Sequence, residues 1–278
     1  KRYREQHWFK LWVLESFSVR QLSHLSGYSG FKLKNIKRYW INQTPPKYVH
    51  YKKYKYLIYD GTYFHKDGCL INLMNTKDQK IIAHTYARRE GFQSAYEWFL
   101  GLKNRGLDPS YITMDGELSV IRSIKKIWPK VKIQRCLYHI QREGMRWLRT
   151  YPKTQAGRDL RYLLSQVCSI KSEKERDVFI QRFKSWQSQY QSFVISLPKT
   201  NIAFKDLKKT VTLIKHAIPG MFHYLKDSNI HSTTNALEGF HSRLKADYRR
   251  HRGLTEQNKI KYLNWYCFFK NQAKLSTL

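Results

Sequence analysis

Three short runs rich in β-branched and aromatic residues lie close together in the chain, at residues 56–64, 69–75 and 80–87. The short polar segments between them are typical of the tight turns that join antiparallel strands. Helical and strand-like patterns then alternate, which predicts helices over 92–102 and 118–127 and strands over 111–114 and 130–136. The order β-β-β-α-β-α-β predicts an α/β fold with a mixed sheet, in which a hairpin meander lies at one side and crossovers build the rest.

The segment before these strands, residues 1–46, predicts three short helices and ends in the stiff dipeptide Pro45-Pro46. Its second helix begins with the pattern of a capping box, Ser18 followed by Gln21. A glycine turn separates it from a third helix that carries four cationic side chains, Lys32, Lys34, Lys37 and Arg38. This arrangement matches a helix-turn-helix, whose second helix enters the major groove of DNA. A helical hairpin with a solvated basic face is the alternative.

A long helical block and a final pair of helices follow the β-rich region. Residues 140–228 lose the strand pattern, and their apolar residues recur at helical spacing. Two further helices are expected near 233–248 and 255–271. These changes of pattern divide the chain into four predicted segments, 1–46, 47–139, 140–228 and 229–278.

The charge of the chain predicts a polyanionic partner. Lys and Arg number 52 against 20 acids, for a net charge of +32, while 41% apolar residues are enough for a folded core. A compact body with this charge repels itself unless a polyanion neutralises it, and nucleic acid is the polyanion expected here. An anionic membrane is the competing partner, but the sequence has no apolar run long enough to span one and no signal-peptide pattern. We therefore expect no membrane partner.

The four cysteines, Cys69, Cys136, Cys168 and Cys267, are far apart in sequence and form no C-x-x-C pair. This spacing argues against a disulfide framework and against a cysteine-rich zinc ribbon, and it predicts a reducing compartment such as the cytoplasm. The sequence begins at Lys1 rather than Met, which leaves open a further N-terminal module.

Two acids accompany apolar strand patterns. Asp60 lies within the first predicted strand, and Asp115 directly follows the fourth. An acid in such a place is unfavourable without a partner. If the first and fourth strands are neighbours, the two carboxylates converge at one edge, where hard oxygen ligands suit Mg²⁺ or Mn²⁺. The alternative for either residue alone is a turn or cap, since Gly follows both.

Two later motifs complete an ordered set. Cys136-Leu137-Tyr138-His139 begins 21 residues after Asp115, and Thr234-Asn235 precedes Glu238. With Asp60 and Asp115, the set resembles the DDE transposases of bacterial insertion sequences, in the broad group related to Mutator-like elements. The resemblance implies a ribonuclease H-like catalytic domain in two parts, 47–139 and 229–278. It also implies an all-helical insertion at 140–228 and a preceding helix-turn-helix.

The same resemblance implies a function and a set of site residues. Asp60, Asp115 and Glu238 are expected to be catalytic and to hold two Mg²⁺ or Mn²⁺ ions. The expected reaction is cleavage of double-stranded DNA at transposon ends followed by strand transfer to target DNA. A homodimer in the synaptic complex and a bacterial, nucleoid-associated location are also expected. A catalytically silent DNA-binding regulator and a ribonuclease H-like structure-specific nuclease remain the alternatives.

The residues themselves give further expectations. Glu238 is predicted in the first turns of a helix, where the helix dipole favours an anion. Cys136 and His139 lack the two further ligands that tetrahedral zinc requires, so we expect them to shape the active site. Additional basic side chains are expected to contact DNA phosphates, namely Arg142, Arg146, Lys245, Arg249, Arg250 and Arg252.

Overall fold

The computed structural model describes residues 2–46, 50–64, 68–251 and 253–273. These residues form five strands, β1 (Tyr56–Tyr63), β2 (Cys69–Asn75), β3 (Ile81–Ala87), β4 (Tyr111–Met114) and β5 (Lys132–Arg135). The first helices are α1 (Arg2–Leu14), α2 (Val19–Ser26), α3 (Gly30–Ile41), α4 (Phe92–Asn104), α5 (Leu118–Ile127) and α6 (Leu137–Leu148). The later helices are α7 (Gln155–Ser165), α8 (Glu173–Ser196), α9 (Ile202–Ala217), α10 (Asn235–Tyr248) and α11 (Glu256–Ala273).

The five strands form one mixed sheet in the order β3-β2-β1-β4-β5. β2 and β3 pair antiparallel, whereas β1 with β4 and β4 with β5 pair parallel. The predicted mixed sheet is therefore confirmed, and the condition that the first and fourth strands are neighbours is met. Parallel neighbours require a crossover, and the intervening helices α4 and α5 supply the needed length of chain.

The chain divides into two compact units. Unit 1 comprises Lys1–Tyr54, Asp60–Asp108 and Ala236–Leu278, and unit 2 comprises Lys55–Tyr59 and Pro109–Asn235. The four segment boundaries inferred from the sequence stay predictions. No helix among the described residues has the length and apolar character needed to cross a membrane.

Within unit 1, helices α2 and α3 are capped and separated by a glycine turn, as the sequence predicts for Ser18, Gln21 and Gly27. The Ser18 side chain accepts a hydrogen bond from the Gln21 backbone N–H, and the Gln21 side chain accepts one from the Ser18 N–H, which completes the capping box. Gly27 ends α2 with a φ of +69°, a left-handed conformation in which glycine has no steric penalty. Ser29 then caps α3.

Helices α1 and α3 pack against α11. The Phe9 ring lies 5.4 Å from the Trp265 ring in an edge-to-face contact. The Tyr262 hydroxyl donates to the Val13 carbonyl at 3.0 Å, and the Trp265 indole N–H donates to the Gln43 carbonyl at 3.1 Å. Helix α1 therefore shares a core with the C-terminal helix.

Unit 2 contains the helical block that the sequence predicts. Ser172 and Glu175 form a second capping box at the start of α8. Leu164, Phe183 and Ile214, from α7, α8 and α9, are buried in one hydrophobic cluster. The Trp186 indole N–H donates to the Ala156 carbonyl at 2.9 Å, so the buried indole is satisfied.

Phe9→Ala should destabilise the protein by about 3–5 kcal/mol, because it leaves a cavity where α1 meets α11. Phe9 is 1% exposed. Phe31→Ala is the matched control, since Phe31 is 76% exposed and should change stability by less than about 0.5 kcal/mol. Urea unfolding would measure both variants. Equal stabilities for the two would contradict the packing of α1 on α11.

Candidate active site and DNA-binding surface

The parallel pairing of β1 with β4 sets the positions of the two strand acids. Tyr56 pairs with Tyr111, and Ile58 pairs with Thr113. Asp60 and Asp115 each follow two residues after this last pair along their own strands. Asp60 lies within β1, and Asp115 comes directly after β4, as the sequence predicts.

In unit 1, Asp60 is tied to helix α10 through a histidine. The Nδ1 of His241 lies 3.2 Å from Asp60 Oδ2, and its Nε2 lies 2.9 Å from the side-chain oxygen of Asn72. Asn72 in turn contacts Cys267 Sγ at 3.6 Å. The Asp60 side chain remains 15% exposed. The imidazole therefore fixes one carboxylate oxygen of Asp60 while the side chain keeps access to solvent.

Glu238 lies in the first turn of α10, as the sequence predicts. It precedes His241 by three residues, and side chains three apart lie on the same face of a helix. The face of α10 that carries Glu238 is therefore the one that contacts Asp60 through His241. Glu238 is partly buried, and the positive end of the helix dipole favours its negative charge.

A further acid of unit 1 lies beside β1. A Cβ atom at Gly61 would lie 3.0 Å from the Glu90 carboxylate, so this side chain approaches the backbone next to Asp60. The pKa of the Cys69 thiol is raised to about 12. Burial is the main cause, and the negative charges of Glu90 and Asp60 act in the same direction. Sequence reasoning missed Glu90 because it lies in a loop before α4 and belongs to no recognisable motif.

In unit 2, Asp115 lies beside a buried arginine. The Glu117 backbone N–H donates to Asp115 Oδ1 at 3.1 Å. The Arg135 guanidinium fills the space beside Gly116, where a Cβ atom would come within 2.0 Å of it. Arg135 is 9% exposed, and no partner in the described chain accepts a hydrogen bond from its Nε–H. Burial lowers the pKa of Arg135, and the charge of Asp115 opposes that shift.

Cys136 and His139 lie together at the start of α6. The His139 Nδ1 is 3.3 Å from Cys136 Sγ, and the Thr234 backbone N–H donates to the same sulfur at 3.3 Å. Burial raises the pKa of the Cys136 thiol, but hydrogen bonds with His139 and Thr234 outweigh it, so the net shift is downward. The sulfur thus joins the start of α6 to the Thr-Asn motif.

The segment that leads into α10 is held at two more points in unit 2. The Thr113 hydroxyl donates to the His231 carbonyl at 2.8 Å, and the Leu137 N–H donates to the Ser232 carbonyl at 2.9 Å. Together with the Thr234 contacts, these bonds fix the chain that precedes Asn235 to the ends of β4 and β5. The position at which α10 begins is therefore set by tertiary hydrogen bonds.

The four cations expected to contact DNA from α3 have different surroundings. Lys32 forms an ion pair with Glu5 at 2.8 Å. The Lys37 ammonium lies 5.2 Å from the centroid of the Trp12 ring, and burial with the nearby charge of Lys34 lowers its pKa. Lys34 and Arg38 are exposed. These last two are the side chains of α3 best placed to reach a phosphate.

The remaining DNA-binding candidates lie on α6 and at the end of α10. The Arg142 guanidinium lies 5.5 Å from the Tyr138 ring, and Arg146 forms an ion pair with Glu143. The Lys245 ammonium lies 6.0 Å from the Phe64 ring. Arg249 and Arg250 are exposed in the turn after α10. Arg252 lies outside the described residues.

Two further residues at these sites were not found by sequence reasoning. Arg135 ends a mostly buried strand, and its place directly before the C-x-x-H motif was the available signal. His241 follows Glu238 by three residues, and its helical position on the same face was the signal there. Both are ordinary polar residues in the sequence, and only their burial distinguishes them.

Among solved structures, a similar chain belongs to the cryo-EM structure of a simian T-cell lymphotropic virus intasome in complex with PP2A regulatory subunit B56 gamma. It is 16% identical, the match covers 72% of this chain and 66% of that chain, and the TM-score is 0.25. A TM-score this low supports no structural argument. No curated protein matches the chain.

The family comparison covers most of the sequence. A family model described as "Transposase, Mutator family" matches residues 52–253. The matched region includes Asp60, Asp115 and Glu238 as well as the C-x-x-H motif. An origin in a bacterial insertion sequence, and a role of the C-x-x-H motif as a family signature, stay predictions. The chain belongs to the Mutator family of transposases.

Proposed function

We propose that this chain is an active DDE transposase that binds transposon ends, cleaves DNA in a metal-dependent reaction and joins the freed 3′ end to target DNA. The observation that carries the proposal is the β1–β4 register. Ile58 and Thr113 pair in parallel strands. Asp60 lies two residues after Ile58, and Asp115 lies two residues after Thr113. Side chains that follow paired residues by equal steps in parallel strands reach the same level of a sheet.

Glu238 is the proposed third acid. It occupies the first turn of α10, one turn before His241, which contacts Asp60. Glu90, beside Gly61, is the rival for this role. The family match and the Thr-Asn motif before it favour Glu238.

The donor set fits Mg²⁺ or Mn²⁺. Three partly buried carboxylates offer hard oxygen atoms, which these cations prefer. Asp60, Asp115 and Glu238 would hold the ions, two in number by resemblance to the family. When bound, such ions activate an attacking oxygen and stabilise the charge that develops on the leaving oxygen.

The protein's own part of the reaction is orientation. His241 holds one oxygen of Asp60, so that the carboxylate keeps a single orientation toward the substrate. The backbone N–H of Glu117 holds one oxygen of Asp115 in the same way. Exposed cations such as Arg249 and Arg250 supply contacts to the DNA backbone, which position the strand without reading its sequence.

Three structural assignments belong to this proposal. We assign the mixed sheet to a ribonuclease H-like domain, residues 140–228 to its helical insertion and α2–α3 to a helix-turn-helix. The antiparallel pair β2–β3 beside the parallel strands β1, β4 and β5 supports the first assignment. The left-handed Gly27 between α2 and the capped helix α3 supports the last. A homodimer in the synaptic complex is part of the same proposal.

Asp60→Asn, Asp115→Asn and Glu238→Gln should each lower Mg²⁺-dependent cleavage of transposon-end DNA by at least about 100-fold, because each removes a charged oxygen ligand. DNA binding should stay within a few-fold, since phosphate contacts come from other residues. Gel analysis of 3′-end nicking would measure cleavage, and fluorescence anisotropy would measure binding.

Glu90→Gln and Glu117→Gln are the matched controls and should cleave normally. Loss of cleavage with Glu90→Gln but not with Glu238→Gln would reassign the third acid. Specific binding without any metal-dependent cleavage by the unmodified protein would identify a DNA-binding regulator. Cleavage without strand joining would identify a nuclease.

His139→Ala should reduce cleavage, whereas Cys136→Ser should leave folding and metal content nearly unchanged. In Cys136→Ser, the serine hydroxyl can keep the hydrogen bonds to His139 and Thr234. In His139→Ala, the imidazole that contacts Cys136 and Thr234 is removed. Circular dichroism and elemental analysis would accompany the cleavage assay. Stoichiometric zinc that is lost in either variant would show that the pair ligates zinc.

Replacing Lys34 and Arg38 together by alanine should weaken duplex binding and lower the slope of log K against log salt by about 2, since each phosphate contact contributes about 0.9. Both side chains are exposed on α3. Lys37→Ala is the control, because Lys37 packs against Trp12 and should barely change the slope. A slope unchanged by the double variant would mean that α3 does not contact phosphates.

A further inference from the structure

A basic cavity of about 550 Å³ lies within unit 2 along helix α9. Its cationic lining consists of Arg135, Lys199, Lys205, Lys208 and Lys209. The residues that line it all belong to the described part of the chain, and none of them carries a carboxylate. The acid of α9, Asp206, instead pairs with Arg149 at 3.4 Å. The cavity therefore favours an anionic ligand.

Basic side chains of α9 lie along one face of the helix. Lys205, Lys208, Lys209 and His216 recur at the three- and four-residue spacing of a single helical face. A second cavity of about 300 Å³ shares Lys208 and Thr212 with the first and adds Lys215. The two cavities adjoin at these shared residues, and we call them together the α9 groove. From 205 to 216 it extends about 16 Å at 1.5 Å per residue.

The α9 groove also has an apolar and aromatic wall. Trp147 and Phe204 line the larger cavity together with Leu118, which is 53% exposed. The Lys208 ammonium lies 5.6 Å from the centroid of the Phe204 ring. Phosphates alone would require only the cations, so the aromatic rings indicate a ligand that also presents flat, apolar surface.

One of the residues that line the groove is a buried arginine. Arg135 lines the larger cavity although it is 9% exposed, and its Nε–H has no acceptor among the described residues. Its guanidinium lies against Gly116, the residue after Asp115. A buried arginine with an unused donor is costly unless a ligand completes its hydrogen bonds. Gly116 and Arg135 thus connect the groove to the end of β4.

We propose that the α9 groove binds single-stranded DNA, with phosphates along the lysines of α9 and an unpaired base against Trp147 and Phe204. Basic grooves with aromatic stacking surfaces are the general means of holding unpaired nucleotides. A paired duplex keeps its bases stacked inside and cannot use the aromatic wall. The proposal deepens the proposed function, because a strand that leaves the Asp115 edge would enter the groove beside Arg135.

The test measures binding of labelled oligothymidylate and of a duplex of equal length to the full chain, in EDTA so that no cleavage occurs. Replacing Lys205, Lys208 and Lys209 together by glutamine should weaken single-strand binding at least about tenfold and lower its salt slope by about 2, at about 0.7 per phosphate. Phe204→Ala should weaken it about tenfold with the salt slope unchanged, because stacking is lost and charge is not. Duplex affinity should change less than about threefold.

A charge-matched control replaces Lys130, Lys174 and Lys184, which are exposed cations of the same unit outside the groove. An equal loss of single-strand binding in this control would show bulk electrostatics and overturn the proposal. Binding of thymidine monophosphate or inorganic phosphate, without binding of the oligonucleotide, would assign the cavity to a small phosphate compound instead.

The cleavage assay separates this inference from the proposed function. Single-strand binding that depends on Phe204 and on the three lysines supports the α9 groove even if the acids prove inactive. Normal cleavage with no such dependence overturns the groove and leaves the proposed function intact.

Discussion

The parallel pairing of β1 with β4 is the constraint on which the candidate site depends. It places two distant parts of the chain in fixed register, from Tyr56 with Tyr111 to Ile58 with Thr113. Asp60 and Asp115 each lie two residues beyond the last of these pairs along the chain, so the register sets the level that each acid reaches. A shift by one residue would turn one carboxylate to the other face of the sheet. The buried apolar residues of both strands oppose such a shift.

The cationic side chains that give the chain its excess positive charge have different surroundings. Some cations have partners within the fold, such as Lys32 with Glu5 and Lys37 with Trp12. Others stay exposed, as in the turn after α10 and along α9. Arg135 belongs to neither group, because it is buried beside Asp115 and its Nε–H has no acceptor in the described chain. Net charge therefore predicts a polyanionic partner but not which side chains would meet it.

Much of the fold could be predicted because its signals are local. The capping boxes at Ser18 and Ser172, the left-handed turn at Gly27 and the helix α5 appear where the sequence places them. The order of strands and helices also limited the sheet to few topologies, among them the one in which β1 and β4 are neighbours. The packing of α1 on α11 was not predictable, since its contacts join the two ends of the chain.

The sequence by itself determined the elements, the two strand acids and the position of Glu238 at the start of a helix. These depend on periodicity and on capping, which act over a few residues. Only the tertiary structure placed His241 against Asp60, Thr234 against Cys136 and Arg135 against Gly116. Such contacts join residues far apart in the chain, so the sequence contains these residues but does not show which partner each one meets.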